Sequence, residues 1–345
     1  MFDTNNIIIA TRGSALALAQ ANAIFNQCRK TFPKLNFEIK IIKTTGDKLQ
    51  SQRIKSNQSL PKGLFTKELE VALIKQKADL AVHSLKDLPT ELPVGLTLGA
   101  IAKREDPREI IAYRDQRHFE NINLLEKVKD EEINYSEYKS FTSGLAIQDL
   151  PNNLNIATSS PRRKSQLLRL RPDWNIVEIR GNVPTRLEKL ATNSEIDATI
   201  LAYAGLRRLN FEINKNNMLQ GDAVPDGINA TIIETSDMLP CVGQGAIGIE
   251  IRENDERLAK LCERLNHFNT RVCTEAERSF LRAMGGGCQT PVAAHAVIQN
   301  NTIQMPGISF GTGNSFSESK VSGNLNEALD LGKKLAKEIK DGLEN

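Results

Sequence analysis

The apolar positions of the chain fall in short runs that alternate with amphipathic stretches. Ile7-Ile8-Ile9-Ala10 has the length and β-branching of a buried strand, and Thr11-Arg12-Gly13-Ser14 then opens a helix predicted over Ala15 to Lys30, with Ser14 as N-cap. Phe37 to Lys43 predicts a second strand, carried by Ile39, Ile41 and Ile42. Thr66 to Lys77 predicts a second helix on the spacing of Leu69, Ala72, Leu73 and Gln76. Asp79 to Ser84 predicts a third, buried strand that runs into Leu85-Lys86-Asp87-Leu88-Pro89. Between the second strand and second helix, the polar segment Thr44 to Pro61 has no period and reads as a mobile loop.

The same alternation returns further on. Asn155 to Thr158 reads as a strand, and Ser160-Pro161 opens a helix that Arg171-Pro172 ends. Trp174 to Arg180 is the next strand, Gly181-Asn182 a turn, Pro184 the start of another helix, and Ile196 to Ala202 a further strand. This alternation specifies an α/β fold with two doubly wound domains. Residues 114–153 and 212–237 have weak periodicity and read as solvated surface insertions. Beyond residue 263 the style changes. Arg271 to Ala283 is helical, Val292 to Ile298 and Thr302 to Ser309 form a hairpin about Asn300-Asn301, and 325–342 is a last helix, which together make a small α+β C-terminal domain.

Composition narrows the class without naming a function. The chain has 345 residues, 40% hydrophobic and 25% charged, with a net charge of +3. That is more than one core normally holds, and the charge and the 5% aromatic content are too low to imply nucleic-acid binding. No window approaches the ~18 apolar residues of a membrane span, and Met1 to Asn6 carry no basic, apolar leader, so the cytoplasm is the expected compartment. The five cysteines (28, 241, 262, 273, 288) include no C-x-x-C pair and the four histidines are scattered, so neither a disulfide framework nor a metal site is expected.

Chemistry gathers at the carboxyl ends of the predicted strands, where doubly wound sheets bind ligands. Those ends carry Arg12 and Ser14; Ser84, Lys86 and Asp87; Thr158, Ser159, Ser160, Arg162 and Arg163; Arg180, Gly181, Asn182 and Arg186; and, after the last strand, Arg207 and Arg208. Hydroxyls, glycine and arginine at helix starts make anion cradles from exposed N–H groups, the helix dipole and guanidinium forks. One arginine pair would commonly be a solvated helix start. Several on one edge suit carboxylates spread along a ligand, and no phosphate-loop motif is present. Asp87 is the one acid within this cationic set, where an ionised carboxylate is stabilised. It is either a group that stabilises positive charge or moves a proton, or a capping or ion-paired aspartate. Cys288, in Gly285-Gly286-Gly287-Cys288-Gln289-Thr290-Pro291, is presented by a glycine run; a reactive thiol and a helix cap followed by a small buried residue both fit that run.

Taken together these residues resemble the porphobilinogen deaminase (hydroxymethylbilane synthase) family. The resemblance rests on Ala10-Thr11-Arg12-Gly13-Ser14, Lys62-Gly63-Leu64-Phe65-Thr66-Lys67-Glu68-Leu69-Glu70, His83-Ser84-Leu85-Lys86-Asp87-Leu88-Pro89 and Arg104-Glu105-Asp106-Pro107-Arg108. It continues through Thr158-Ser159-Ser160, Arg180-Gly181-Asn182, Val242-Gly243-Gln244-Gly245-Ala246 and Gly286-Gly287-Cys288-Gln289-Thr290-Pro291. One departure is Leu60-Pro61 before Lys62-Gly63, where the family usually has two glycines.

The resemblance implies two periplasmic-binding-protein-like domains, 1–103 with 240–262 and 104–239, and a third domain, 263–345. It implies a transferase that joins four porphobilinogen molecules head to tail on a covalent dipyrromethane cofactor attached to Cys288, releasing ammonia and hydroxymethylbilane. Asp87 matches the family's catalytic aspartate. Ser84, Lys86, Asp87, Thr158, Ser159, Ser160, Arg162, Arg163, Arg180, Gly181 and Asn182 match cofactor contacts. Arg12, Ser14, Lys62, Phe65, Arg104, Arg180, Arg186, Arg208 and Gln244 match the substrate-binding set. A monomer with no nucleic-acid or membrane partner is the family expectation. The competing class is a non-catalytic two-lobed anion-binding protein, which would carry no attached chromophore and tolerate Cys288→Ser.

Overall fold

The computed structural model describes residues 6–46, 66–126, 138–286, 290–313 and 315–344. The chain forms two compact units, Met1–Asp106 with Cys241–Asn345, and Pro107–Pro240. In the first unit the chain runs through β1 (Asn6–Thr11), α1 (Ala15–Thr31), β2 (Asn36–Ile41), α2 (Lys67–Ile74), β3 (Leu80–Ser84) and β4 (Leu96–Ile101). The second unit comprises β5 (Glu109–Arg114), α3 (Gln116–Glu126), β6 (Asn155–Ala157), α4 (Pro161–Leu170), β7 (Asn175–Val177), α5 (Val183–Thr192), β8 (Ala198–Ala202), α6 (Tyr203–Arg208), the short strands β9 (Glu212–Ile213) and β10 (Leu219–Gln220), and β11 (Ile228–Ile233). The chain then rejoins the first unit as β12 (Ile247–Arg252) and α7 (Glu256–Leu265).

Each unit is built on a five-stranded mixed sheet, in the orders β2-β1-β3-β12-β4 and β11-β5-β8-β6-β7. Strands β1, β2 and β3 are parallel, as are β6, β7 and β8, while β12 and β5 run antiparallel to their neighbours. Because side chains alternate along a strand, Ile7 and Ile9 face a core with Ile24 and Cys28 of α1 and Leu258 and Leu261 of α7, whereas Ala10 faces Leu69 and Leu73 of α2. The second sheet is covered likewise: Leu187 and Leu190 of α5 pack on one face, and Leu167 of α4 with Trp174 on the other. Both sheets are therefore covered on both faces, the doubly wound arrangement expected from the alternating pattern.

The C-terminal part continues as α8 (Phe268–Ala283), β13 (Val292–Ala294), β14 (Val297–Gln299), β15 (Thr302–Phe310), β16 (Phe316–Asn324) and α9 (Ala328–Glu344). Phe280 of α8 and Leu335 and Ile339 of α9 bury one face of this antiparallel sheet against Ile303, Met305 and Val321. Asn300 and Asn301 both adopt positive φ, the turn geometry that matches the twist of a hairpin. The predicted strand Val292 to Ile298 is two strands, because the break lies opposite Pro306, which has no N–H to donate, and Ala296 N–H turns instead to the Glu277 carboxylate (2.9 Å).

The two supposed insertions require correction. Ten of the 26 residues in 212–237 lie in strands: β11 pairs along its length with β5, and Ile228, Asn229 and Ala230 are fully buried. In 114–153, Arg114 is completely buried, 3.8 Å from Asp197 and with its guanidinium over the Tyr138 ring, and Phe119, Phe141, Ile147 and Leu150 are core residues. Segments that pack through isolated side chains carry no hydrophobic period, so the pattern misses them. Residues 127–137 lie outside the described residues, as does all but the start of the predicted 44–61 loop.

Candidate active site

In the first unit, β3 ends at Ser84 and the chain turns through a single 3-10 turn, Leu85–Asp87. Leu85 and Leu88 are buried with Ile101 and Ala246, which forces the intervening Lys86 and Asp87 outward. The Asp87 carboxylate is exposed and has no hydrogen-bond or ion-pair partner among the described residues. It borders a pocket of about 60 Å³ lined by Arg12, Ser14, Gln20, Thr66, His83 and Ser84. Ser14 caps α1 through the Ala17 N–H (3.3 Å), so the helix N-terminus and the half-buried Arg12 both face this pocket with positive charge. Ser84 Oγ is 2.8 Å from Gln20 Nε2. His83 is held in the interior, its Nε2 2.9 Å from Glu250, as a satisfied structural histidine would be.

Sequence reasoning missed Gln20 and Thr66. Gln20 carried a signal, a buried amide on the otherwise apolar face of α1 formed by Ala17, Ala21 and Ile24. Thr66 sits one residue before α2; it marked the predicted helix start and lies in the Lys62 to Glu70 motif, but nothing in the pattern singled it out as a site residue.

The second unit gathers cations. Ser160 caps α4 with Pro161 in the first turn, and Asn182 caps α5 through the Thr185 N–H (2.9 Å). Gly181 between strand and helix has φ +117°, and a Cβ there would lie 2.7 Å from Thr185, so glycine is required. Its carbonyl accepts from Arg186 Nε (2.9 Å). Ser159 is exchanged with the main chain of Ile179, and Thr158 Oγ1 accepts from the Ser160 N–H.

Arg162 and Arg163 are buried and share one carboxylate. Arg162 Nη2 lies 2.5 Å from Glu109 Oε1, and Arg163 grips both Glu109 oxygens at 3.1 and 2.7 Å. Burial, with Arg163 nearby, lowers the Arg186 guanidinium to about 10. Two guanidiniums on one buried carboxylate, with Arg186 close to Arg163, leave a surplus of positive charge, which suits a ligand bearing several carboxylates. Arg180 is half-exposed beside Glu178 (3.7 Å), and Arg208 is half-buried at the end of α6. Glu109, at the start of β5, also escaped the sequence reading, since an acid before Ile110-Ile111 reads as an ordinary strand edge.

Arg104 and Gln244, expected among the substrate contacts, are engaged within the protein. Arg104 pairs with the buried Glu277 (2.6 and 3.2 Å) and donates to the Gln244 carbonyl (2.7 Å). Gln244 is itself buried, its side chain 3.4 Å from Lys86 Nζ. These contacts fasten the turn at 241–246. Gly245 in that turn has φ +82°, and a Cβ would lie 2.5 Å from the Glu105 carbonyl. Gly245→Ala is expected to destabilise the protein by about 2 kcal/mol, read as a lower urea midpoint. Lys62, Phe65 and Cys288 lie outside the described residues.

The porphobilinogen deaminase, dipyromethane cofactor binding domain model matches residues 7–260, and the porphobilinogen deaminase C-terminal domain model matches 271–341. The chain belongs to the porphobilinogen deaminase family. The porphobilinogen deaminase of Chloroherpeton thalassium is 41% identical over 86% of this chain and 80% of its own length. That of Chlorobium luteolum is 39% identical over 98% of this chain and 96% of its own. Among solved structures, the benzoate-bound BenM effector binding domain aligns at a TM-score of 0.40 and 14% identity, covering 75% of this chain and 90% of that one.

As a porphobilinogen deaminase the protein is a transferase of tetrapyrrole biosynthesis. It polymerises porphobilinogen to hydroxymethylbilane with release of ammonia, and its cofactor is dipyrromethane. The non-catalytic anion-binding alternative is thereby set aside. Among the described residues no helix is long and apolar enough to cross a membrane.

Proposed function

We propose that Asp87 is the catalytic carboxylate of this transferase and that Cys288 carries the cofactor through a thioether. The observation that supports this most directly is the Asp87 carboxylate itself: exposed, without a partner among the described residues, and beside a pocket lined by Arg12, Ser14 and Ser84. A carboxylate left unpaired beside cationic groups can accept hydrogen bonds from a pyrrole N–H and hold the positive charge that develops as ammonia leaves the aminomethyl carbon. Arg12 and Ser14 bind carboxylates of the incoming porphobilinogen. In the second unit Arg162, Arg163, Arg180, Arg186 and Arg208, with Thr158, Ser159, Ser160 and Asn182, take the carboxylates of the cofactor and of the growing chain. When bound, dipyrromethane supplies the electron-rich pyrrole to which the first substrate joins. Its carboxylate-bearing rings match the surplus charge that Glu109 leaves unneutralised.

The functional division follows the family pattern: 1–103 with 240–262 carries the aspartate, 104–239 the cofactor cations, and 263–345 the anchor. The enzyme acts as a cytoplasmic monomer without nucleic-acid or membrane partners. The test is the intact mass of the purified protein. An adduct of dipyrromethane size that maps to Cys288 is expected, and Cys288→Ser is expected to lose both the adduct and all porphobilinogen consumption. A bare wild-type mass, or full activity in Cys288→Ser, would remove the anchor from the mechanism.

A further inference from the structure

With no hydrogen bond to any described residue, the Asp87 carboxylate is aimed by the main chain that carries it. Upstream, that chain is held by the sheet, where Leu85 N–H donates to the Ala246 carbonyl (3.0 Å). Just downstream, Leu88 N–H closes the turn on Leu85 (3.2 Å) and its side chain is buried. Beyond that, Pro89 has no N–H to donate, and among the described residues the strand pairing of β3 ends at Ser84. The Leu88 and Pro89 carbonyls meet Arg278 of α8, whose Nη1 and Nη2 donate to Leu88 O (3.1 Å) and Pro89 O (2.6 Å). Arg278 is only 8% exposed. One turn further along α8, Arg282 Nη2 donates to Thr90 O (2.6 Å).

We propose that Arg278 is a positioning residue for Asp87: it clamps the two carbonyls that follow the carboxylate, from the helix that precedes Cys288 in the chain. This rests on the catalytic reading of Asp87. The planar guanidinium spans two successive carbonyls, which a lysine ammonium cannot do in the same geometry. Losing the clamp loosens Asp87 without removing any group that touches substrate, so the chemical step should suffer while binding does not. A displacement of about 1 Å at a reacting group can cost on the order of a hundredfold in rate.

The experiment compares Arg278→Lys, Arg278→Gln and the half-exposed Arg282→Gln in the full-length protein, with kcat counted per adduct-bearing molecule by intact mass. Expected losses in kcat are about tenfold, about a hundredfold and about threefold, with KM within about threefold of wild type. Asp87→Asn combined with Arg278→Lys should be no slower than Asp87→Asn alone, because Arg278 acts through the carboxylate. Should Arg278→Gln fail to fold, the lysine variant, Arg282→Gln and the double variant still decide. A lower urea midpoint with normal kcat in Arg278→Lys and Arg282→Gln, or an additive loss in the double variant, would overturn the proposal. Wild-type turnover in Asp87→Asn would instead remove the catalytic reading of Asp87, and this one with it.

Discussion

Asp87→Asn is expected to lower porphobilinogen turnover by about 10³-fold, while the protein folds normally and keeps its Cys288 adduct. The substitution is isosteric, and the turn that carries it is held by Leu85, Leu88 and the Ala246 carbonyl, none of which depends on the carboxylate. Only the charge is lost. A carboxylate about 4 Å from a developing cation contributes on the order of 4 kcal/mol at an effective dielectric near 20, which corresponds to about three powers of ten in rate. Since that charge appears only as ammonia leaves, kcat should fall with little change in KM. Steady-state consumption of porphobilinogen, with intact mass as the control for cofactor, checks this; a rate within a few-fold of wild type would take Asp87 out of the mechanism.

Glu277→Gln is expected to be the most damaging single change to stability, costing about 3–5 kcal/mol. Glu277 is completely buried in α8 and accepts from Arg104, from the Gly243 N–H (2.8 Å) and from the Ala296 N–H (2.9 Å), while His295 Nδ1 lies 3.5 Å away. It thus ties the C-terminal sheet, the 241–246 turn and Arg104 together. Glutamine could keep some of the N–H contacts but would leave the Arg104 guanidinium buried without its counter-charge. Burial alone would raise the Glu277 carboxyl, but Arg104 and His295 outweigh it and lower it from 4.5 to about 2.

A depressed carboxyl contributes stability that is present above its unfolded value and lost as pH falls toward its folded one. The wild-type protein should therefore lose on the order of 3 kcal/mol from this group between pH 4.5 and pH 2. Urea midpoints measured across that window should show this component in wild type and not in Glu277→Gln. A variant as stable as wild type, or one with the same acid profile, would show that the buried pair contributes little.

Much of this protein was legible in its residue order. Alternation between β-branched runs and amphipathic stretches specified two doubly wound units, because the periods of strand and helix are local and survive in one dimension. Helix starts at Ser14 and Ser160 were legible for the same reason, since a cap is satisfied by N–H groups two or three residues away, whereas Asn182, read as part of a turn, is itself the cap of α5. The ordered motifs, from Arg12 to Cys288, were enough to indicate the family.

Only the tertiary structure showed which cations pair with a buried acid. Arg104 and Arg163 look alike in sequence to Arg12 and Arg180, yet the first two are buried on Glu277 and Glu109, partners 173 and 54 positions away. No local rule carries that information, because an arginine's role depends on what meets its guanidinium once distant segments pack. The same holds for Asp87. Its type and neighbours marked it as a candidate, but its exposure without a partner among the described residues, and the hold of Arg278, 190 and 189 positions away, on the Leu88 and Pro89 carbonyls that follow it, exist only in the folded chain.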